Sequence, residues 1–513
     1  MATEARAASV PTPPEMSPAR RYVILGMVVL SVTLYSTSIL IVAAVLPQLQ
    51  GAMQATPDEI SWTMTFNILA TAMCTPLTGW LTARFGRRNL LAGSVMLFAA
   101  ATYFCGAATS LEALIFWRIV QGAAGAPLPP VGQSVTLDIF PKHQHGMVVG
   151  LYGVGVVMGA FIGPMVGGVM AEWYSWRYAF YLMVPVAVLS SIGVLMALPR
   201  TRRQFAVKLE WTGFLLITTS IACIQLALSR GQRLDWFEST EIVVEVFVGV
   251  LALYLFVVHS LTHDKPFLNL RLLLNKNYSI GLILVTIYGM LNFTPMVILP
   301  GLLREHVGLP DSLVGYVVGA RGIGAMAAFY VASFLGQKFP RKSIAAGFGF
   351  QVIAGLWLMT VSLDTTPMEF VLNGIVQGFA VGTIWVPLTV VTFSTLDPKY
   401  LDETSSMYHL LRNIGSSFFI SMTVTELVRS SAMNYEYMTG FISPFNQMLQ
   451  MPWVMGERSL DTVEGLARMS QEIVHQASLI SYLNAFGMYT LASAAAIPLI
   501  MFITSPKKAA AGA

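Results

Sequence analysis

Fourteen mostly apolar runs, each near the length at which a helix crosses a bilayer, divide this 513-residue chain. They lie near residues 22–47, 59–81, 89–108, 112–137, 146–170, 178–198, 211–229 and 241–262, and then near 278–303, 313–336, 343–362, 368–394, 404–430 and 482–504. A helix needs about 20 residues to span ~30 Å of hydrocarbon, where its backbone must satisfy its own hydrogen bonds. Composition agrees: 55% of the residues are hydrophobic and 11% are charged, against roughly 25% charged in a soluble chain. Barrel strands would be shorter and would alternate. The runs therefore predict an all-α membrane protein. Residues 1–21 are rich in Pro and Ala and read as a disordered cytoplasmic N-terminus, and the run after Arg21 is too long for a cleavable signal core.

The formal net charge of +4 comes from basic residues scattered between the runs, which is no patch for nucleic acid. The scatter is ordered across the membrane. With both termini cytoplasmic, the cytoplasmic segments hold 20 of the 30 Lys and Arg residues, the opposite loops hold 7, and Arg118, Arg321 and Arg412 fall inside runs. A miscounted span would scramble this positive-inside asymmetry. Cys74, Cys105 and Cys223 lie within apolar runs, with no spacing that argues for a disulfide framework or a metal site.

The chain also repeats itself. GWLTARFGRR, from Gly79 to Arg88, is echoed by GQKFPRK, from Gly336 to Lys342; IVQG recurs at Ile119 and Ile375, and TLD at Thr136 and Thr395. The offsets are 257, 256 and 259 residues, and the matches keep their order and their places relative to the runs. Two six-helix bundles follow, residues 22–200 and 278–505, with an inserted helix pair and its linkers at 201–277 and a cytoplasmic tail at 506–513. Parallel repeats of this kind predict a substrate cavity between the bundles near mid-membrane.

These residues resemble the major facilitator superfamily, and within it the fourteen-span drug:proton antiporters of the EmrB/QacA type. GWLTARFGRR is similar to the family's loop motif, RIVQG at Arg118 to Gly122 to its fourth-helix motif, and GAFIGPMVGG at Gly159 to Gly168 to its antiporter motif. HLLRNIGSS, from His409 to Ser417, resembles a stretch typical of this branch. Two positions depart from the pattern: Ala83 stands where the loop motif usually has Asp, and the first run, LYSTSILIVAAVLP from Leu34 to Pro47, lacks the acidic residue often found there. The resemblance implies the major facilitator fold in a bacterial inner membrane, export of drugs or toxic compounds, and protons as the coupling partner.

Candidate roles follow from residue type and place. Gly79, Arg84, Gly86, Arg87 and Arg88 form a tight basic turn whose guanidinium groups can bind the carbonyl ends of neighbouring helices, or simply anchor the loop in the cytoplasm. Arg118 is a charge inside an apolar span, and with Gln121 the resemblance assigns it to proton coupling; snorkelling to an interface is the plainer alternative. Arg321 and Arg412 can attract an anionic substrate, lower the pKa of an acid, or bind helix-end carbonyls. Gly155, Gly159, Gly163 and Gly167 recur every four residues and line one helix face for close packing, beside the kink-forming Pro164. Gly153, Gly155 and Gly159 lack the spacing and the preceding strand of a dinucleotide loop.

For substrate contacts the mid-span aromatic, amide and Met residues are Tyr35, Trp62, Phe66 and Asn67, then Tyr288, Asn292, Phe293, Met296, Trp385, Met407 and Tyr408, a mixture suited to flat apolar or cationic compounds. Each of them alone is more often core than ligand-binding. Acids are scarce at membrane depth; Asp138 is a candidate proton site because it shares a run with Arg118, and a helix-end loop role competes. In the long loop 431–481, Leu460, Val463, Leu466, Met469, Ile473, Ala477 and Ile480 follow helical spacing and predict an amphipathic helix. It is either a lid or, as the resemblance implies, a dock for a periplasmic membrane-fusion adaptor leading to an outer-membrane channel.

The reading is a secondary active exporter, not an enzyme, with no cofactor: GxxxxGK[ST], HExxH and GxSxG are all absent. An importer or single-metabolite exporter of the same fold is the nearest rival, and a membrane-embedded sensor or enzyme a more distant one.

Overall fold

The computed structural model describes residues 16–199, 208–264, 266–362, 365–443, 445–451 and 462–503. Residues 1–15 and 506–513 of the expected tails, and Leu460 of the amphipathic stretch, lie outside them. Among the described residues every regular element is a helix. The first half contains α1 (Pro18–Met53), α2 (Pro57–Cys74), α3 (Thr78–Phe85), α4 (Arg87–Ala107), α5 (Leu111–Gly125), α6 (Leu128–Ile139), α7 (His145–Trp173), α8 (Trp176–Tyr181) and α9 (Met183–Ala197). The inserted pair is α10 (Trp211–Arg230) and α11 (Thr240–Thr262). The second half contains α12 (Lys276–Glu305), α13 (Asp311–Lys338), α14 (Pro340–Leu358), α15 (Pro367–Phe393), α16 (Leu401–Thr439) and α17 (Val463–Leu499). Helix α1 already begins at Pro18, inside the stretch expected to be disordered, because Pro is pre-shaped for a first helical turn.

Among the described residues, ten helical segments are long and apolar enough to cross a membrane by length and composition alone. The other expected spans are interrupted or more polar. A 3₁₀ turn at Thr75–Leu77, containing Pro76, breaks the second, and Pro127 separates α5 from α6 in the fourth.

Packing repeats as the sequence does. In the first half α1 packs on α7, α2 on α5, and α4 on both α5 and α9; in the second, α12 packs on α16, α13 on α15, and α14 on both α15 and α17. The repeated IVQG shows why. A Cβ on Gly122 would overlap the Asn67 carbonyl oxygen, and one on Gly378 would overlap that of Arg321, so each glycine lets two helix backbones touch. Helix α10 lies between the halves, touching α2 on one side and α16 on the other.

The glycine stripe of α7 faces α1, inside the first half. A Cβ on Gly155 would overlap Val29, one on Gly159 the Thr33 carbonyl oxygen, and one on Gly163 would lie 2.9 Å from the Thr37 carbonyl oxygen. Thr33 Oγ1 donates to the Gly155 carbonyl at 2.8 Å and Thr37 Oγ1 to that of Gly159 at 3.2 Å. Gly167 is buried on the same helix, and Pro164 sits within α7 without ending it. Gly150 and Gly153 instead face Phe329 of α13 across the boundary between halves.

The amphipathic stretch is not a separate helix: α17 is one 37-residue helix whose first turns precede the last span. They rest on the end of α12, where the His306 ring stacks on His475 at 4.3 Å and its Nε2 lies 3.2 Å from Ser478 Oγ.

Two predictions follow from this packing. Gly159→Leu should cost about 1–3 kcal/mol through overpacking and lower the melting temperature in detergent. Gly168→Leu, with nothing within 4 Å of its Cβ, should not; equal melting of both variants would mean that α1 and α7 do not touch. Burial, reinforced by His475, lowers the His306 pKa to about 4. The neutral ring is therefore the packed one, so the α12–α17 contact is complete above the ordinary value of 6.5 and weakens as pH falls towards 4. Hydrogen exchange of residues 463–478, corrected for intrinsic rates, should rise over that interval, and His306→Gln should abolish the pH dependence; a flat profile in the native chain would contradict it.

Candidate functional site

Between the halves lies a cavity of about 210 Å³. Its wall is drawn from both halves and from the insert: Tyr35 of α1, Asn67 of α2, Phe161 and Pro164 of α7, Asn292, Phe293 and Met296 of α12, Arg321 of α13, Arg412 and Asn413 of α16, and Gln225 of α10. Of the expected substrate contacts, Tyr35, Asn67, Asn292, Phe293 and Met296 line it.

The remaining six do not, and helix phase explains most of them. Met64, Asn67, Ile68 and Thr71 form the cavity face of α2. Trp62 and Phe66 pack edge to face at 6.3 Å off that face, with Trp62 exposed. Tyr288, Trp385 and Tyr408 form a buried aromatic stack, with centroids 5.3 and 5.6 Å apart, in the core cluster outside the lining. Met407 packs under the inserted pair beside Ile217 and Leu410. Sequence reasoning chose by side-chain chemistry and missed Phe161, Gln225 and Asn413. Asn413 adjoins Arg412, and Gln225 is an amide in an otherwise apolar span, so both left a readable signal.

The three intramembrane arginines differ in surroundings. A guanidinium at bilayer depth costs ~2.5–3.5 kcal/mol or more unless it is satisfied. Arg118, 1% exposed, is satisfied without a carboxylate: its Nε donates to the Thr63 carbonyl at 3.2 Å, and its Nη1 donates to the Ser38 carbonyl at 3.3 Å and to Gln121 Oε1. Gln121 Nε2 in turn donates to Thr102 Oγ1 at 2.7 Å. Arg118 thus ties α1, α2 and α5 together and does not line the cavity. Arg321 Nη1 donates to the Asn292 carbonyl at 2.5 Å. Arg412 donates to Asn413 Oδ1 from Nη2 at 3.0 Å and lies 5.6 Å from the Trp385 ring and 6.0 Å from that of Phe293.

The cavity is closed at the end of the molecule that carries the basic loops. Gly86, at φ 78°, makes the tight turn between α3 and α4 and presents Arg87. The expected partners were helix-end carbonyls; the observed ones are carboxylates. Arg87 Nε donates to Asp402 Oδ1 and Oδ2 at 3.1 Å, and Nη1 donates to Asp138 Oδ2 at 2.6 Å. Burial opposes the charge on Arg87, and the two carboxylates compensate it. Asp138 is therefore a partner of this turn, separated from Arg118 by the break at Pro127.

Asp402 was not foreseen. It stands in the first turn of α16, from the opposite half, and also accepts from Ser134 Oγ. It supplies across the interface the acid that Ala83 does not supply within the loop. A Cβ on Gly79 would lie 3.5 Å from the Glu403 Cα, and Arg84 stacks on Trp80 at 5.7 Å. Arg88 Nε has no hydrogen-bond partner among the described residues. Further along α16, Ser406 Oγ donates to the Thr75 carbonyl at 2.5 Å, and His409 Nε2 meets Gln133 Oε1 at 2.5 Å.

Two repeat-related helical halves around an inter-bundle cavity, shut at one end by polar pairs, define a membrane transporter of small molecules. The chain belongs to the Major Facilitator Superfamily, which it matches over residues 27–420, a family of transporters and not of enzymes. It is 29% identical over 475 residues to the multidrug export protein EmrB of Escherichia coli (strain K12), covering 91% of this chain and 92% of that protein. It is 24% identical over 463 residues to the fatty acid resistance protein FarB of Neisseria gonorrhoeae, covering 90% and 91%. The fold is shared with the human organic anion transporter MFSD10 (TETRAN), at a TM-score of 0.60 and 13% identity over 93% of this chain and 100% of that one.

Asp402→Asn should remove about 1.5–3 kcal/mol of charge-assisted bonding from the closed end. Spin labels at positions 142 and 399 should then report longer distances between the halves. An unchanged distance distribution would show that the Arg87–Asp402 pair does not hold this end shut.

Proposed function

We propose that the chain exports amphipathic compounds in exchange for protons, by alternating access of the central cavity to the two sides of the inner membrane. The observation that carries this reading is the cavity between two repeat-related halves with its breakable closure at the basic end. By the positive-inside rule that end faces the cytoplasm, as do both termini, and the closed end makes this the outward-facing or occluded phase of the cycle. The moving bodies are residues 22–200 and 278–505, with 201–277 as the insert. The likeness to EmrB and FarB supports export of apolar and amphipathic compounds.

Asp402 and Asp138 supply a route for proton coupling. Protonating these carboxylates weakens their hold on Arg87 and releases the closed end. Arg118 serves the cycle by keeping α1, α2 and α5 moving as one body. The start of α17 and the outer end of α16 form the surface on which a periplasmic adaptor, leading to an outer-membrane channel, docks; cross-linking from position 466 in cells that carry such an adaptor checks this, and products confined to the chain itself would remove it.

Inside-out vesicles containing the chain should accumulate fluorescent amphiphiles when the lumen is made acidic and lose them when an ionophore collapses the gradient. Arg118→Ala, which cuts the three bonds tying α1, α2 and α5 together, should abolish that accumulation. Equal dye content with and without the gradient, across anionic, neutral and cationic dyes, would sink proton-driven export.

A further inference from the structure

We infer that the central cavity is built for a monoanionic amphiphile, a carboxylate or sulfonate on a compact apolar body, with Arg412 and Arg321 as its charge-recognition residues. The inference rests on the transport reading above and narrows it to a substrate class.

Arg321 and Arg412 are each 7% exposed, and both line the cavity. Among the described residues they are the only ionisable acids or bases of the Asp, Glu, Lys, Arg or His type in its wall, and no described carboxylate forms an ion pair with either. The cavity thus carries two positive charges and no negative one, within a low-dielectric wall that focuses their field. A cationic compound would meet uncompensated repulsion there; an anion would supply the missing counter-charge.

Arg118 shows what a wholly structural arginine looks like in the same protein. It is enclosed, and its hydrogen bonds go to acceptors on three helices. Arg412 differs at each point. Its only protein acceptor among the described residues is Asn413 Oδ1, engaged by Nε and Nη2, which leaves Nη1 without a bond. The flanking Phe293 and Trp385 rings hold the planar group in place without neutralising it. A guanidinium so held can offer donors in the fork geometry that matches a carboxylate or sulfonate. Phe161, Phe293 and Met296 give the apolar wall against which the body of the ligand packs.

The test uses the full chain in lipid nanodiscs and three probes of matched shape: 2-naphthoate, 2-naphthamide and 2-naphthylmethylammonium, with empty nanodiscs correcting for partition into lipid. The naphthoate should bind about tenfold or more tighter than the amide, as charge-assisted bonding to a desolvated guanidinium requires, and the ammonium should bind weakest. Arg412→Gln should erase most of the naphthoate preference over the amide, and Arg412→Lys should keep part of it by restoring charge without the fork. Arg321→Gln should reduce the preference further. If the Gln variants fail to fold, the probe ranking on the native chain and on Arg412→Lys decides. Equal binding of naphthoate and amide, tighter binding of the ammonium, or a preference that survives loss of both guanidinium groups would overturn the assignment. Binding needs neither gradient nor turnover, so the two readings fail separately. Anion preference without gradient-driven accumulation removes proton-driven export, and accumulation without anion preference removes this inference.

Discussion

The guanidinium of Arg87, held between Asp138 of its own half and Asp402 of the other, is the charged joint between the halves at the end that carries the basic loops. Its strength comes from partial burial. The side chains of Arg87 and Asp402 are 15% and 18% exposed, whereas Asp138 is 47% exposed and contributes less. A fully buried pair would be hard to open and an exposed one would hold nothing. This intermediate setting suits the closure that the proposed transport cycle would have to form and break.

Around that joint, the contacts within each half differ in kind from those between halves. Inside a half, glycines bring helix backbones together, as Gly159 does against Thr33 and Gly378 against Arg321. Arg118 adds backbone carbonyls of α1 and α2 to the same unit. Across the closed end the contacts are polar bonds made by side chains in the early turns of α16, from Asp402 through Ser406 to His409. Rigid bodies joined by separable polar contacts are the physical basis for rocking motion. The exception is α7, whose Gly150 and Gly153 bring it close to α13 and make that pair a natural axis.

The cavity gathers what each half leaves unsatisfied. Its wall is apolar apart from a few amides and hydroxyls and the two guanidinium groups of Arg321 and Arg412. The inserted pair takes part as well: Gln225 of α10 reaches the wall and donates to Ser417 Oγ at 3.0 Å. The insert therefore touches the site and is not merely an annex facing lipid.

Much of this was legible in the sequence for one reason: lipid forces the backbone to satisfy itself, so apolar run length reports helices directly. The repeats at Ile119 and Ile375 announced the doubled packing, and the glycine period of the fifth run announced its close neighbour. The sequence could not say which neighbour, because a glycine stripe states only that something lies near; the fold chose α1. Nor could residue chemistry separate Asn67, which lines the cavity, from Trp62 and Phe66 on the same helix, since helix rotation is decided by all partners at once. Asp402 illustrates the limit best. An acid in a helix's first turn is commonplace, and only the meeting of two segments 315 positions apart makes it the counter-charge of Arg87. Local pattern determined helices, topology and repeat, because those depend on solvent and near neighbours; pairing across the halves was settled by tertiary structure, because it depends on distances that no local pattern encodes.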